Sequence, residues 1–414
     1  MGFSRALPFR LNGIQKRCRP PLIWMGGCQE AEVVEKRGKR VSAMKSLCNR
    51  EGMLAAIGMV SGVSPARSPK PILQNLKMVL DSTGTTLMAT DLEVGIRYMV
   101  SGVRVDEPGA VILPTQRIQQ LLRLSSEIDL SMDTVGDKVE VRGVKGKWTF
   151  PSEDASLFPE VPSFAASNYH VVEGSDLRKL IRRTSFATDL ESTRYALGGV
   201  LVEFGENTIS MVGTDGRRLA KMTVPAQFHG DEPPLAGATP VIPVKALKLI
   251  ERNLADDLPA HLAILDNNAV VVRTERSMIH SRLVEGRFPR YQDVFPSQHE
   301  ARIEMKAGEL LRGVQQSMIV TSEESRGVDF RFEDGLLTLT TRSPDVGESK
   351  LEMPISYGGQ SIDIMFDPRY LVDALGTIDE NATIWIDLIN SKKAALFHTE
   401  DNYDYVVMPL TRDA

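Results

Sequence analysis

The residues that could do chemistry in this 414-residue chain are few and scattered. Thr214-Asp215-Gly216 contains a carboxylate, but an aspartic-protease site needs the order Asp-Thr-Gly, so a turn after a strand is the simpler interpretation. The motifs of nucleotide-binding loops, zinc proteases and serine hydrolases are missing. Six histidines occur without ligand spacing, namely His170, His229, His261, His280, His299 and His398. We therefore predict a protein that is not an enzyme and holds no metal or cofactor.

Attraction of phosphate is the one chemistry that the sequence favours. Two predicted helices carry cations on their polar sides: Arg178, Lys179, Arg182 and Arg183 on one, and Lys245, Lys248 and Arg252 on the next. Acidic residues are concentrated elsewhere, and the net charge is −5. Such segregation lets one face attract phosphate while the outer surface stays acidic. Taken singly, each helix face fits an ordinary solvated surface, but recurrence on equivalent helices favours a shared basic surface.

Composition indicates a globular protein, with 42% hydrophobic and 25% charged residues. No run approaches the ~18 apolar residues that a membrane helix needs. The three cysteines, Cys18, Cys28 and Cys48, lie near the start of the chain and cannot cross-link the rest of it. This cysteine usage is typical of a reducing compartment, so we predict a cytoplasmic protein without a membrane partner.

The elements that position these residues recur three times. A strand that ends in proline precedes a short helix at Pro114, Pro243 and Pro368, a period of roughly 125 residues that fits a whole domain. A second landmark, Ala89-Thr90-Asp91, returns as Gly213-Thr214-Asp215 and in degraded form at residues 341–345. The chain therefore contains three copies of one domain.

Each copy is predicted to pack two helices against antiparallel strands, which is an α+β domain. In the second copy Asp176 is a plausible N-cap, and strands are predicted over residues 195–204 and 208–212; in the third copy the last strand is predicted over residues 405–410. The predicted domains are residues 44–164, 165–298 and 299–414. Residues 1–43 form an N-terminal extension, for which a wrongly assigned start codon, a disordered tail and an organellar transit peptide all remain open.

Four motifs in register support a family resemblance. They are residues 214–220 (TDGRRLA), 286–291 (GRFPRY), 366–371 (FDPRYL) and 405–410 (YVVMPL). From Met44 onward the chain resembles the bacterial β sliding clamp, the processivity subunit of the replicative DNA polymerase. The resemblance implies a head-to-tail homodimer whose six domains form a ring around double-stranded DNA. It also implies three kinds of protein partner, all met at the nucleoid: the DNA polymerase III alpha subunit, an ATP-dependent clamp loader, and other clamp-binding replication and repair proteins. A non-ring peptide-binding scaffold of DNA metabolism is the alternative.

The resemblance also implies three sets of site residues. The partner-peptide pocket comprises Leu197, Thr214, Gly216, Arg217, Arg218, Leu219, Pro289, Val294, Val406, Val407, Met408, Pro409 and Leu410. The dimer interface comprises Trp148, Phe150, Ile319 and Val320, with the last two on a helix. Arg67, Arg194 and Tyr195 join the helix cations as DNA contacts. A plain C-terminal edge strand is the alternative reading of residues 406–410.

Overall fold

The computed structural model describes residues 44–191, 196–231, 239–296 and 298–411. All of them belong to one compact unit, Lys39–Ala414. The extension 1–43 and the predicted DNA contacts Arg194 and Tyr195 lie outside the described residues. In the described part of the chain, no helix is long and apolar enough to cross a membrane.

The described chain repeats one order of elements three times. A strand leads into a helix, further strands follow, and a second helix precedes the last three strands. In domain 1 these elements are β1 (Lys45–Asn49), α1 (Arg50–Val60), β2 (Asn75–Asp81), β3 (Gly84–Thr90), β4 (Val94–Val100), β5 (Val103–Glu107), β6 (Gly109–Pro114), α2 (Thr115–Leu124), β7 (Asp129–Val135), β8 (Lys138–Arg142) and β9 (Lys147–Pro151).

Domains 2 and 3 follow the same order. Domain 2 has β10 (Tyr169–Glu173), α3 (Gly174–Ser185), β11 (Gly199–Phe204), β12 (Thr208–Thr214), β13 (Arg218–Pro225), β14 (Gln227–His229), β15 (Val241–Pro243), α4 (Val244–Asn253), β16 (Pro259–Leu265), β17 (Ala269–Arg273) and β18 (Ser277–Arg282). Domain 3 has β19 (Ala301–Lys306), α5 (Ala307–Ser317), β20 (Val328–Glu333), β21 (Leu336–Ser343), β22 (Gly347–Pro354), β23 (Ile362–Phe366), α6 (Pro368–Leu375), β24 (Thr383–Leu388), β25 (Ala395–Thr399) and β26 (Tyr403–Val407).

The strands form antiparallel sheets that run through the domain junctions. One sheet of nine strands has the order β14-β10-β16-β17-β18-β4-β3-β2-β6, and so joins domain 2 to domain 1. A second, of eight strands, has the order β15-β11-β12-β13-β26-β25-β24-β19 and joins domain 2 to domain 3. The remaining sheets, β5-β1-β7-β8-β9 and β22-β21-β20-β23, belong to domains 1 and 3 alone. The α+β prediction with three repeated domains is confirmed.

The helices pack on one face of these sheets because their apolar residues share one side. In α3 the residues Leu177, Leu180 and Ile181 are fully buried, while Lys179 and Arg182 stay exposed. Two smaller apolar clusters lie where the linkers between domains cross the sheets, one around Phe158 and one around Phe288.

Four predicted boundaries are wrong. The strand predicted over residues 208–212 continues to Thr214. The helix of domain 2 begins at Gly174 with Glu173 as N-cap, so Asp176 lies in its first turn. A side chain at Gly174 would meet the Ala255 carbonyl oxygen at 1.8 Å, a tertiary requirement that local sequence does not reveal. The strand predicted from residue 195 begins at Gly199, and the last strand ends at Val407 because the chain then turns to another partner. There the Leu410 N–H donates to the Met365 carbonyl.

Candidate partner-peptide and DNA interfaces

The Thr214-Asp215-Gly216 segment is a tight turn between β12 and β13. The Thr214 hydroxyl donates to the Arg218 carbonyl at 2.7 Å, and the Asp215 carboxylate accepts from the Arg217 and Arg218 N–H groups. Gly216 has a φ of +85°, which glycine adopts at little cost. The interpretation of this motif as a turn is confirmed, because its carboxylate is used in holding the backbone.

Domain 1 contains the same turn, from Thr90 to Val94. The Thr90 hydroxyl donates to the Val94 carbonyl, and the Asp91 carboxylate accepts from the Val94 N–H. Leu92 stands in place of Gly216 with a φ of +82°, a strained conformation for a branched side chain. The motif shared by the first two domains therefore forms the same hydrogen-bonded turn in both.

Arg218 ties domain 2 to domain 3. It is only 10% exposed, and its guanidinium donates to Asp215, to the Phe186 carbonyl and, across the junction, to Asp373 at 2.7 Å. It also lies 4.5 Å from the centre of the Tyr370 ring. Burial opposes the charge, but the hydrogen bond to Asp373 and the nearby carboxylates raise the pKa of Arg218 above its ordinary value. This predicted pocket residue therefore fixes the junction on which the pocket would depend.

The strand pairing at this junction brings the predicted pocket residues together. In the β13–β26 ladder Leu219 lies opposite Val406, and Arg218 lies opposite Val407. Beyond the ladder, the Met408 N–H donates to the Arg217 carbonyl at 2.9 Å. Residues 217–219 and 406–408, which are far apart in the sequence, therefore lie side by side.

An apolar cluster lies beneath the paired strands β13 and β26. Leu219 and Val406 pack there with Phe288, which precedes the predicted pocket residue Pro289. The exposed rim includes Val294 and Met408, which are 41% and 44% exposed. Leu197 is buried, and its carbonyl accepts a hydrogen bond from the Asp189 N–H. An apolar floor with an exposed methionine suits short linear peptides.

Sequence reasoning missed several residues that build this site. The cluster also contains Ala196, Leu201, Val212, Val241 and Tyr291. The Tyr291 hydroxyl donates to Glu203 at 2.6 Å, and burial together with this bond raises the pKa of Tyr291. Tyr291 and Phe288 belong to the motif at residues 286–291, so the sequence offered a signal for these two. The other members belong to no motif and cannot be told from ordinary core residues.

Arg183 corrects the prediction of a shared basic face on α3. It was expected on the solvent side with DNA, but it is buried at the junction between domains 2 and 3 and pairs with Asp401 at 2.8 Å. Burial acts against the Asp401 charge, yet the hydrogen bond from Arg183 holds the pKa of Asp401 below its usual value. Arg183 also lies over the Tyr403 ring. Helical periodicity cannot show that domain 3 covers this part of the helix.

The other predicted DNA contacts fall into two groups. Arg178 is half-buried, because its guanidinium holds the Glu251 and Leu254 carbonyls at the end of α4 and pairs with Asp256. The exposed members are Arg67, Lys179, Arg182, Lys245, Lys248 and Arg252. Of these, Arg182 pairs with Glu251 and Lys245 with Asp91 of domain 1, so the exposed cations are partly neutralised.

The predicted interface residues lie at two separate edges. Trp148 and Phe150 are partly buried on β9, the outermost strand of its sheet. Ile319 and Val320 lie in a single 3-10 turn, Met318–Val320, directly after α5 and not in α5 itself. Ile319 is 75% exposed, which is unusual for a large apolar side chain.

Comparison with known proteins places the whole described chain in one family. Sequence models of the DNA polymerase III beta subunit match in order: the N-terminal domain over residues 44–162, the central domain over 171–290 and the C-terminal domain over 292–411. The chain belongs to the DNA polymerase III beta subunit family. The beta sliding clamp of Pseudomonas aeruginosa is 30% identical over 364 residues, which are 87% of this chain and 98% of that protein. The beta sliding clamp of Chlamydia muridarum is 28% identical over 372 residues, which are 89% and 99% of the two chains.

Solved beta subunits have the same fold. A Pseudomonas aeruginosa clamp bound to griselimycin superposes with a TM-score of 0.82 at 28% identity, covering 90% of this chain and 100% of that one. The Bacillus subtilis clamp gives a TM-score of 0.83 at 20% identity over 90% and 100% of the two chains, which shows the fold alone. The three domains of this beta subunit are therefore clamp domains. A DNA sliding clamp for the polymerase is the function that these relatives support, and the non-ring scaffold is not favoured.

Proposed function

We propose that this clamp closes around duplex DNA as a head-to-tail homodimer. The observation that carries the proposal is the way in which sheets cross the domain junctions. At one junction β18 pairs with β4, and at the other β26 pairs with β13. The equivalent strands that remain, β9 of domain 1 and β22 of domain 3, are sheet edges in the described chain. Pairing β9 of one copy with β22 of a second repeats the same joint, and two such joints close a ring.

The internal repeat also predicts the register of that joint. In the β26–β13 ladder Tyr405 lies opposite Ala220. The pairing of β9 with β8 and of β22 with β21 gives the equivalent positions. Trp148 corresponds to Tyr405, and Ser349 corresponds to Ala220. Thr149 of one copy is then directly opposite Glu348 of the other.

A side-chain contact at the existing junction supports the same pairing. The Phe186 and Tyr405 rings lie 5.9 Å apart across domains 2 and 3. Ile319 stands at the position of Phe186, counted from the start of its helix, and Trp148 stands at the position of Tyr405. The ring therefore places Ile319 against Trp148 of the second copy, which would bury its exposed side chain.

Paired cysteines test this register. We expect a Thr149→Cys/Glu348→Cys chain to form a disulfide-linked dimer under mild oxidation, because directly opposite residues have Cα atoms ~5 Å apart, within disulfide reach. Non-reducing electrophoresis measures the product. The control pair Thr149→Cys/Glu352→Cys moves one cysteine roughly 13 Å along β22 and should cross-link poorly. Efficient linkage of the control pair alone would contradict the register.

Inside such a ring, the exposed cations of the helices and of the loop after α1 would face the duplex. Arg67, Lys179, Arg182, Lys248 and Arg252 offer diffuse attraction without base contacts, which suits a protein that slides. The ring would act in the cytoplasm as a processivity factor that does no catalysis itself. The apolar pocket at the junction of domains 2 and 3 would tether the polymerase III alpha subunit, the ATP-dependent clamp loader and other replication and repair proteins.

Retention on DNA tests the ring directly. We expect protein loaded by its cognate loader and ATP to stay on a nicked circular plasmid through gel filtration, and to be lost once the plasmid is cut at one site. A ring has no release route on a circle but runs off a free end, whereas ordinary phosphate contacts do not distinguish the two. Equal retention on circular and linear DNA would contradict the ring and favour the non-ring scaffold.

A further inference from the structure

Strand β23 presents a partly open edge. It pairs with β20 on one side only, and its other side borders a groove of about 1140 Å³ formed with the loop between β24 and β25. One outward group is used, since the Leu410 N–H donates to the Met365 carbonyl at 2.8 Å. Outward groups alternate along a strand, so the next set belongs to Asp363. Among the described residues, no backbone group outside the β20 ladder pairs with Asp363.

The equivalent edges of the other domains carry a further cover. Ile112 and Val241 are the equivalents of Met365, and each makes one outward bond as Met365 does: the Ile112 N–H donates to the Ser152 hydroxyl, and the Val284 N–H donates to the Val241 carbonyl. The chain then runs on into a linker whose phenylalanine packs against the same edge strand: Phe158 on Ile112 and Phe288 on Val241. No described residue takes that place in domain 3. An open edge is a template for pairing with another chain.

The side chains around this edge favour a basic occupant. Glu300 and Asp363 are exposed, and both line the groove together with Asp329 and one lysine, Lys392. Arg331 of β20 lies 3.7 Å from the Asp363 carboxylate, so three carboxylates face two cations. The equivalent of Ile112 and Val241 here is Met365, which is also apolar, but Asp329 and Thr340 replace Leu201 and Val212 of the Phe288 cluster. The residues that would lie beneath a phenylalanine are therefore only partly apolar in domain 3. The groove is continuous with the predicted pocket, because Leu410 lines both.

We propose that this groove takes, as an added β-strand, the segment of a partner protein that flanks its pocket-bound peptide, with a lysine or arginine beside Asp363. The proposal rests on the proposed peptide-binding function of the pocket. Main-chain bonds to the Asp363 N–H and C=O would supply affinity, and the acidic wall would select the basic side chain. The pocket thus recognises one part of the partner and the β23 edge a second.

Two peptides and two variants test the groove. The probes are the clamp-binding segment of the polymerase III alpha subunit from the same organism, labelled with fluorescein, and the same segment with eight native residues added at each end. Anisotropy titration should show the longer probe binding about tenfold more tightly, as two further hydrogen bonds allow. Asp363→Pro removes the outward N–H without breaking the ladder to β20, and should cancel this gain. Asp363→Lys keeps the N–H but reverses the charge, and should also weaken the longer probe.

The shorter probe is the internal control. Its affinity should be the same for the wild type and both variants, and thermal unfolding should show that each variant is folded. Equal affinities of the two probes for the wild type, or a gain that both variants retain, would overturn the groove while leaving the pocket intact. Failure of the shorter probe to bind the wild type would instead overturn the pocket, and the groove proposal with it.

Discussion

Lysines in place of Ile319 and Val320 should convert the proposed dimer into monomers. In the proposed ring Ile319 lies against Trp148 of the second copy, so each variant joint would bury charges against an apolar partner. An unpaired buried charge costs several kcal/mol, and the ring has two such joints, so we expect dimer affinity to fall roughly a thousandfold or more. Sedimentation should give a mass near 45.8 kDa rather than twice that value.

A matched surface variant separates this effect from general loss of solubility. Leu190 is 70% exposed and Leu258 36% exposed, and both lie in domain 2, which takes no part in the proposed joint. Leu190→Lys/Leu258→Lys should therefore remain dimeric and stay on circular DNA. An unchanged dimer in the Ile319→Lys/Val320→Lys chain would refute the interface, even if the control behaves as expected.

Alanines in place of Met408 and Leu410 should weaken binding of the alpha-subunit peptide by about a hundredfold, since two apolar anchor side chains commonly contribute 1–2 kcal/mol each. Met408 lies at the exposed rim of the apolar cluster, and Leu410 follows it along the same segment. Anisotropy with the short labelled peptide measures the effect. The dimer should persist, because neither residue lies at the proposed ring joint.

The control for this pair uses exposed apolar residues away from the pocket. Met99 is 49% exposed and Leu157 is 58% exposed, and both lie near the junction of domains 1 and 2. Met99→Ala/Leu157→Ala should bind the peptide as the wild type does. If Met408→Ala/Leu410→Ala also keeps wild-type affinity, the pocket assignment is wrong and residues 406–410 are merely the end of a sheet.

The turn shared by domains 1 and 2 shows which part of the repeat the sequence reveals and which part it does not. Thr90-Asp91 and Thr214-Asp215 are visible as a repeated motif, and both build the same hydrogen-bonded turn. The sequence does not show that Leu92 must take the positive φ that Gly216 takes easily, because that angle is imposed by strands paired on either side.

The sequence by itself determined the features that depend on local pattern and recurrence. Three α+β domains and the order of their elements follow from proline-ended strands, turn motifs and helical spacing, because each reflects short-range geometry that every copy must satisfy. The family was identified from the resemblance carried by four motifs. The pocket residues were assigned through that resemblance, and their role as a binding site stays a prediction.

Only the tertiary structure decided which side chains face solvent and which strands lack a partner. Arg178 and Arg183 follow the same helical spacing as Lys179 and Arg182, yet the end of α4 and domain 3 cover them. Likewise β9, β22 and β23 read as ordinary strands, and their open edges appear only when the sheets are assembled. Burial and strand order depend on residues far away in the chain, 73 positions for Arg178 and Glu251 and 218 for Arg183 and Asp401, so a local pattern cannot specify them.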